Sequence, residues 1–142
     1  MSLRDALRVA ASGLDLQRAR MEVVASNLAN ARTTRTASGG PYRRMLPVVR
    51  AVPVKRRAFG DAVARAVRGV QLERVAVDPR PPVMRYEPGH PDADARGYVA
   101  YPNVDPAEEM VDLLSAMRSY EANTKVVKAV EKMREDALDL LR

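Results

Sequence analysis

Each end of this 142-residue chain carries a long stripe of apolar residues at helical spacing, whereas the middle is broken repeatedly by glycine and proline. At the front the stripe runs Leu3, Leu7, Ala10, Leu14, Gln17, Met21, Val24 and Leu28, in steps of four and three with only Gln17 polar. Such steps set every member on one side of a helix, as in the seam of a coiled coil. At the back, Met110, Leu113, Met117, Tyr120, Thr124 and Val127 keep the same rhythm, and Val126, Val130, Met133, Ala137, Leu140 and Leu141 continue an adjoining stripe to the end. Two adjoining stripes make an apolar face wider than one partner covers. About 28 helical residues at the front and about 35 at the back would span about 42 and about 52 Å at a rise of 1.5 Å per residue. Rods of that length do not fit inside a compact chain this small. The spacing therefore predicts two terminal helices that pack on each other and then on further chains.

The front helix is expected to end between Asn27 and Gly40, where Asn, Thr, Ser and Gly accumulate ahead of Pro41. Asn27 and Asn30 suit local bonding of the turn's backbone. Residues 42–54 alternate loosely through Met45, Pro47, Val49 and Val52, which predicts a weak edge strand. Residues 69–77 alternate better, with Val70, Leu72, Val75 and Val77 apolar. Between them, 55–68 has no turn chemistry beyond Gly60 and is open to a basic loop or a short helix. Pro79, Pro81, Pro82, Pro88 and Pro91 leave room only for a brief strand over Val83 to Tyr86, and 97–102 reads as extended. The sharpest local signal is Asp105-Pro106, a capping residue followed by proline in the first helical position. Glu108 and Glu109 follow in the first turn, where the helix dipole favours acids. The fold class is thus expected to be α+β: long N- and C-terminal helices (1–31 and 105–142) paired as a coiled-coil-like core, with a small irregular β-rich middle region (32–104).

Charge and composition narrow the function. The chain has no cysteine, which removes thiolate and disulfide chemistry and leaves the compartment open. Phe59 is the single phenylalanine and there is no tryptophan, so a large aromatic core is not available. Arg4, Asp5 and Arg8 interrupt the first turns, so neither a secretory signal nor a membrane span is read there. The net charge of +6 is uneven: residues 32–68 hold ten bases against the single acid Asp61, while from Asp105 onward nine acids face six bases. That polarity suits matching between neighbouring copies, or nucleic-acid binding by the centre. The second use needs aromatics among the bases, and only Tyr42 and Phe59 are there. Gly39, Gly40, Pro41, Pro47 and Pro53 also prevent a groove-reading helix. A solvated or inter-subunit role for these bases is the favoured reading, and a cytoplasmic basic coiled-coil protein that binds nucleic acid or acts as a scaffold is the alternative.

Catalytic constellations are nearly absent. His90, the only histidine, lies between Gly89 and Pro91 in a turn-rich stretch and reads as solvated or locally bonded. Asp92, Asp94 and Gly97 mimic the first, third and sixth positions of a calcium loop, but Arg96 and Asn103 spoil the fifth and twelfth. Glu108 and Glu109 are neighbours rather than one turn apart, so they do not converge as an acid/base pair. Ser12-Gly13 inside the first helix fits either close packing or a kink. No catalytic residue, metal or cofactor is expected.

Specific words then carry a resemblance. The run from Ala25 through Ser26, Asn27, Leu28, Ala29 and Asn30 to Ala31 closes the first helix, and Gly39-Gly40-Pro41-Tyr42-Arg43-Arg44 follows. Later come Asp92-Ala93-Asp94-Ala95-Arg96-Gly97-Tyr98-Val99-Ala100-Tyr101-Pro102-Asn103-Val104, then Glu108-Glu109-Met110-Val111-Asp112 and Arg118-Ser119-Tyr120-Glu121-Ala122-Asn123. In this order they closely resemble the FlgC family of bacterial flagellar basal-body rod proteins, within the wider rod, hook and filament axial proteins. The resemblance implies a proximal-rod subunit in the periplasm, exported through the flagellar type III apparatus without a cleaved signal peptide. Its implied partners are copies of itself and other rod proteins, with no nucleic acid and no membrane span. The assembly surface would be the stripes themselves: Leu3, Leu7, Leu14, Met21, Val24 and Leu28, with Met110, Leu113, Met117, Tyr120, Val127, Val130 and Met133. The family words centre on Ser26, Asn27, Leu28, Asn30, Gly97, Tyr98, Tyr101, Pro102 and Asn103. Asp105-Pro106 and the arginine-rich 55–68 depart from the family's usual pattern.

Overall fold

The computed structural model describes residues 3–54 and 67–140. Two long helices, α1 (Leu3–Ala29) and α2 (Pro106–Asp139), frame four strands: β1 (Met45–Pro53), β2 (Arg68–Val77), β3 (Val83–Tyr86) and β4 (Tyr98–Tyr101). The α+β class with paired terminal helices and a small strand region is what the stripes and turn residues predicted. Residues 55–66 of the basic stretch, and Leu141 at the end of the second stripe, lie outside the described residues.

Both helices are delimited as their residues dictate. Asp105 caps α2 by accepting the Ala107 N–H at 2.9 Å, with Pro106 in the first turn. At the end of α1 the Ser26 carbonyl accepts both the Asn30 backbone N–H at 3.1 Å and the Asn30 side-chain amide at 2.9 Å, which ties down the last turn. The helices run antiparallel, because Asn27 near the end of α1 bonds Glu109 at the start of α2, while Gly13 lies against Asn123. Small apolar residues fill the contact: Ala10 and Val24 of α1 and Ala116 and Val130 of α2 are buried.

The Ser12-Gly13 pair marks close packing rather than a kink, since α1 is continuous across it. A Cβ on Gly13 would stand 2.7 Å from the Asn123 amide nitrogen. On the other flank the Ser12 hydroxyl donates to the Val9 carbonyl and accepts the Val70 N–H of β2, and a Cβ on the opposing Gly69 would approach that hydroxyl to 2.8 Å. One helical turn thus seats α1 against α2 and against the sheet. Gly13→Val should force the helices apart at a cost of about 1–3 kcal/mol, the usual range for overpacking. Urea unfolding of the full chain measures it, and an unchanged midpoint would mean that α1 and α2 are not this close.

β1 and β2 pair antiparallel from Met45↔Val77 to Pro53↔Arg68, with an irregularity at Val48/Val49 that leaves Glu73 without a counterpart. A two-stranded ribbon tolerates Pro47 and Pro53 because both its strands are edges. β3 and β4 form a second ribbon, Val83↔Tyr101 to Tyr86↔Tyr98, and its Val99 is fully buried. Neither ribbon is stable alone. The first leans on α1, chiefly through β2.

Candidate functional site

A buried polar joint holds helices and ribbon together. Asn27, 1% exposed, bonds at both ends of its amide: its oxygen accepts the Tyr42 hydroxyl at 3.0 Å and the Met45 N–H at 2.9 Å. Its nitrogen donates to the Met45 carbonyl at 2.9 Å and to Glu109 at 3.1 Å. Arg44, 8% exposed, donates Nε to the other oxygen of Glu109 and lies within 4.0 Å of Asp78, Glu108 and Asp112. Glu109 lies in the first turn of α2, as expected, and is in addition 1% exposed, serving as the acceptor at the centre of the joint. One expectation is corrected here. Arg44 does not belong to a free basic centre, and Arg43 donates to the Asp78 carbonyl at 3.0 Å. Alternation and charge counts carry no sign of which acid meets which base across 65 residues. The Asn27 side chain likewise reaches past its own turn to a strand and a second helix, leaving the local capping to Asn30.

Asp78 closes the joint at the end of β2. Arg80 grips its carboxylate with both side-chain and backbone hydrogen bonds, which hold the carboxyl at about 2 instead of 3.8 despite burial. A folded-state value below the unfolded one adds stability that is complete above about pH 4 and is lost as the pH falls through about 2. Asp78→Asn should therefore flatten the decline in stability between about pH 5 and about pH 2. Denaturation at each pH checks this, and parallel slopes for variant and parent would contradict it.

The second family word builds the β3–β4 turn. Gly97 has φ +82, where a side chain is strained, and a Cβ there would stand 2.9 Å from the Tyr86 ring. Asp94 accepts the N–H groups of Arg96 and Tyr98, and Asp92 accepts the Thr34 hydroxyl at 2.8 Å. The calcium-loop imitation is therefore spent on turn and docking bonds, and among the described residues no group of acids could hold a metal ion. His90 is locally bonded, its Nδ1 accepting the Asp92 N–H at 3.1 Å. The Tyr101 hydroxyl donates to Glu87 at 2.9 Å while Arg85 lies over its ring at 5.0 Å. Tyr98 meets Tyr86 edge-on, Pro102 is buried and Asn103 half-buried, and Ser26 is exposed beside the Tyr42 hydroxyl.

The stripes divide between the helix pair and the surface. Of the α1 stripe, Val24 is buried with Ala10, while Leu7, Leu14, Met21 and Leu28 are half-buried and Leu3 is exposed. Leu16, which the stripe omits, is buried instead. On α2 the face toward α1 holds Glu109, Leu113, Ala116, Asn123, Val127 and Val130. Met110 (56% exposed), Met117, Tyr120 and Met133 look outward, and Val111 (66%), Leu114 and Val126 are exposed with them. Of the thirteen predicted residues, eight are thus buried or half-buried and Leu3, Met110, Met117, Tyr120 and Met133 are left exposed, the apolar exposure on α2 being densest over residues 110–120, about 15 Å at 1.5 Å per residue. No described helix is long and apolar enough to cross a membrane.

Comparison with known proteins bears on the same two helices. Residues 7–35 match the family described as flagella basal body rod protein, and residues 95–140 match the flagellar basal body rod FlgEFG protein C-terminal family. The chain is 39% identical to the flagellar basal-body rod protein FlgC of Borreliella burgdorferi, covering 100% of this chain and 99% of the relative. It is 40% identical to FlgC of Bacillus subtilis over 99% of both, and 41% identical to FlgC of Aquifex aeolicus over 88% and 87%. Matched from one terminal helix through both ribbons to the other, the chain belongs to the FlgC family of flagellar basal-body rod proteins.

Proposed function

We infer that this chain works by being built into the flagellar basal-body rod through the outer faces of α1 and α2. It is a structural rod subunit of the basal body, related to proteins that are structural rather than enzymatic, and it associates with other rod proteins. The finer reading places it in the proximal rod, within the periplasm. There 1–31 and 105–142 form the axial core and 32–104 faces outward. It reaches that place through the type III export apparatus without cleavage of a signal peptide. Its stripe residues form the contacts with copies of itself and other rod proteins, and neither a cofactor nor a catalytic step enters the function.

One observation carries this reading: α2 presents Met110, Val111, Leu114, Met117 and Tyr120 to solvent although α1 already covers its other side. The nucleic-acid alternative loses support because Arg44 of the basic centre is buried against Glu109, while the exposed Arg43 donates to the Asp78 carbonyl. Expression in a motile bacterium deprived of its own family member tests the reading. Restored swimming, with the full-length chain in purified basal bodies, is expected. A chain that stays in the cytoplasm would contradict it.

A further inference from the structure

The seven methionines hold the only sulfur in this cysteine-free chain, and none of the six within the described residues is buried. Met21 and Met45 are half-buried, whereas Met84, Met110, Met117 and Met133 are exposed. Methionine ordinarily ranks with leucine and phenylalanine among the residues most often found inside. Left in water, its thioether is open to two-electron oxidants, and no thiol in this chain competes for them.

Two of the exposed four stand together. Met110 and Met117, 56% and 44% exposed, are seven residues apart, so their side chains leave α2 within about 20° of each other and about 10 Å apart along its axis. Leu114 lies between them and Val111 beside them, both exposed. The side of α2 turned to α1 carries Glu109, Leu113 and Ala116 instead. The helix pair therefore does not rest on either thioether.

From this we propose that Met110 and Met117 form an oxidation site at which hydrogen peroxide bars a free subunit from the rod. The proposal rests on the rod reading above. Each thioether sulfur attacks one peroxide oxygen, an S–O bond forms as the O–O bond breaks, and the departing hydroxide takes the proton of the S–OH group to leave as water. Sulfur loses two electrons and the peroxide gains them. In the free chain the new sulfoxide oxygen is hydrated, so the fold is kept. Against the apolar side chains of a neighbour it becomes a buried acceptor without a donor, and an adaptable apolar contact turns into a polar mismatch. A subunit already built in has both thioethers covered, so the free subunit is the reactive form. The change is reversible, because reductases specific for the two sulfoxide epimers restore the thioether.

The test uses cells that lack methionine sulfoxide reductases and make the full chain as their only family member. They receive sublethal hydrogen peroxide while rods are being built, and the chain is recovered separately from rods and from the unassembled pool. Mass spectrometry then reads the sulfoxide fraction at each methionine. At Met110 and Met117 it should be at least about 10-fold lower in rods than in the pool, while at Met84, on β3, the two fractions should be alike. Equal fractions at Met110 and Met117 would overturn the proposal and leave the rod reading standing. Equal depletion at Met84 would also overturn it, since oxidised chains would then be discarded without regard to site. Unoxidised chain that never enters rods would instead remove the rod reading. Paired substitutions give a second measurement without peroxide. Met110→Gln with Met117→Gln sets a polar, uncharged group where the sulfoxide would stand and should lower incorporation at least about 10-fold, whereas Met110→Leu with Met117→Leu should enter rods like the parent. A glutamine pair incorporated like the parent, or a leucine pair lost like the glutamine pair, would count against the site.

Discussion

Glu109→Ala should destabilise the chain by about 3–5 kcal/mol, the range for stripping one partner from a buried ion pair. The change leaves the Arg44 guanidinium, 8% exposed, without its bonded acceptor and takes one of two acceptors from the Asn27 amide. Asp78, Glu108 and Asp112 remain at 3.8–4.0 Å, which moderates the loss without replacing the bond. Against a total stability of about 5–15 kcal/mol, such a loss threatens the fold itself. Glu109→Gln, which keeps a group to meet Asn27, should cost less. Urea unfolding ranks the two variants. A parent-like midpoint for Glu109→Ala would show that helices and ribbon are held together elsewhere.

The opposite pattern is expected on the outer face of α2. Leu114→Asp combined with Met117→Asp should change the unfolding free energy of the isolated chain by no more than about 0.5 kcal/mol per site, since both side chains are exposed. In the assembly the same carboxylates would be buried without partners, at several kcal/mol each, so rods and swimming should be lost. Leu14→Asp and Leu28→Asp are mixed cases, because both residues are half-buried in the single chain and should lose stability as well as assembly. Swimming by a stable Leu114→Asp/Met117→Asp chain would remove the outer face from the account.

These two variants separate what could be read from residue order from what could not. Helix extents, the Asp105-Pro106 start and the Val83 to Tyr86 strand follow from periodicity, capping and proline, which are local and leave local marks. The division of the stripes is not local. The same apolar spacing fits a face turned to α1 and a face turned to another chain. Small residues such as Gly13, Ala116 and the polar Asn123 sit in the tight contact, while the larger Met110 and Met117 are left outside. Size therefore points away from the pair, contrary to the usual expectation that the largest apolar residues are the most buried. The buried joint is harder still. Nothing in Asn27, Arg44, Asp78 or Glu109 taken singly distinguishes a turn residue, a solvated base or a first-turn acid from members of one cluster. Only the antiparallel register brings them together.

Thiol accessibility on the outer face of α2 tests the central claim most directly. In a chain that contains no other cysteine, Met117→Cys and Arg50→Cys are each exposed in the free protein and should react with a maleimide at similar rates. In rods purified from cells, the account predicts that Met117→Cys becomes protected while Arg50→Cys, on the outward β1, stays reactive. Equal labelling of both positions in assembled rods would contradict it.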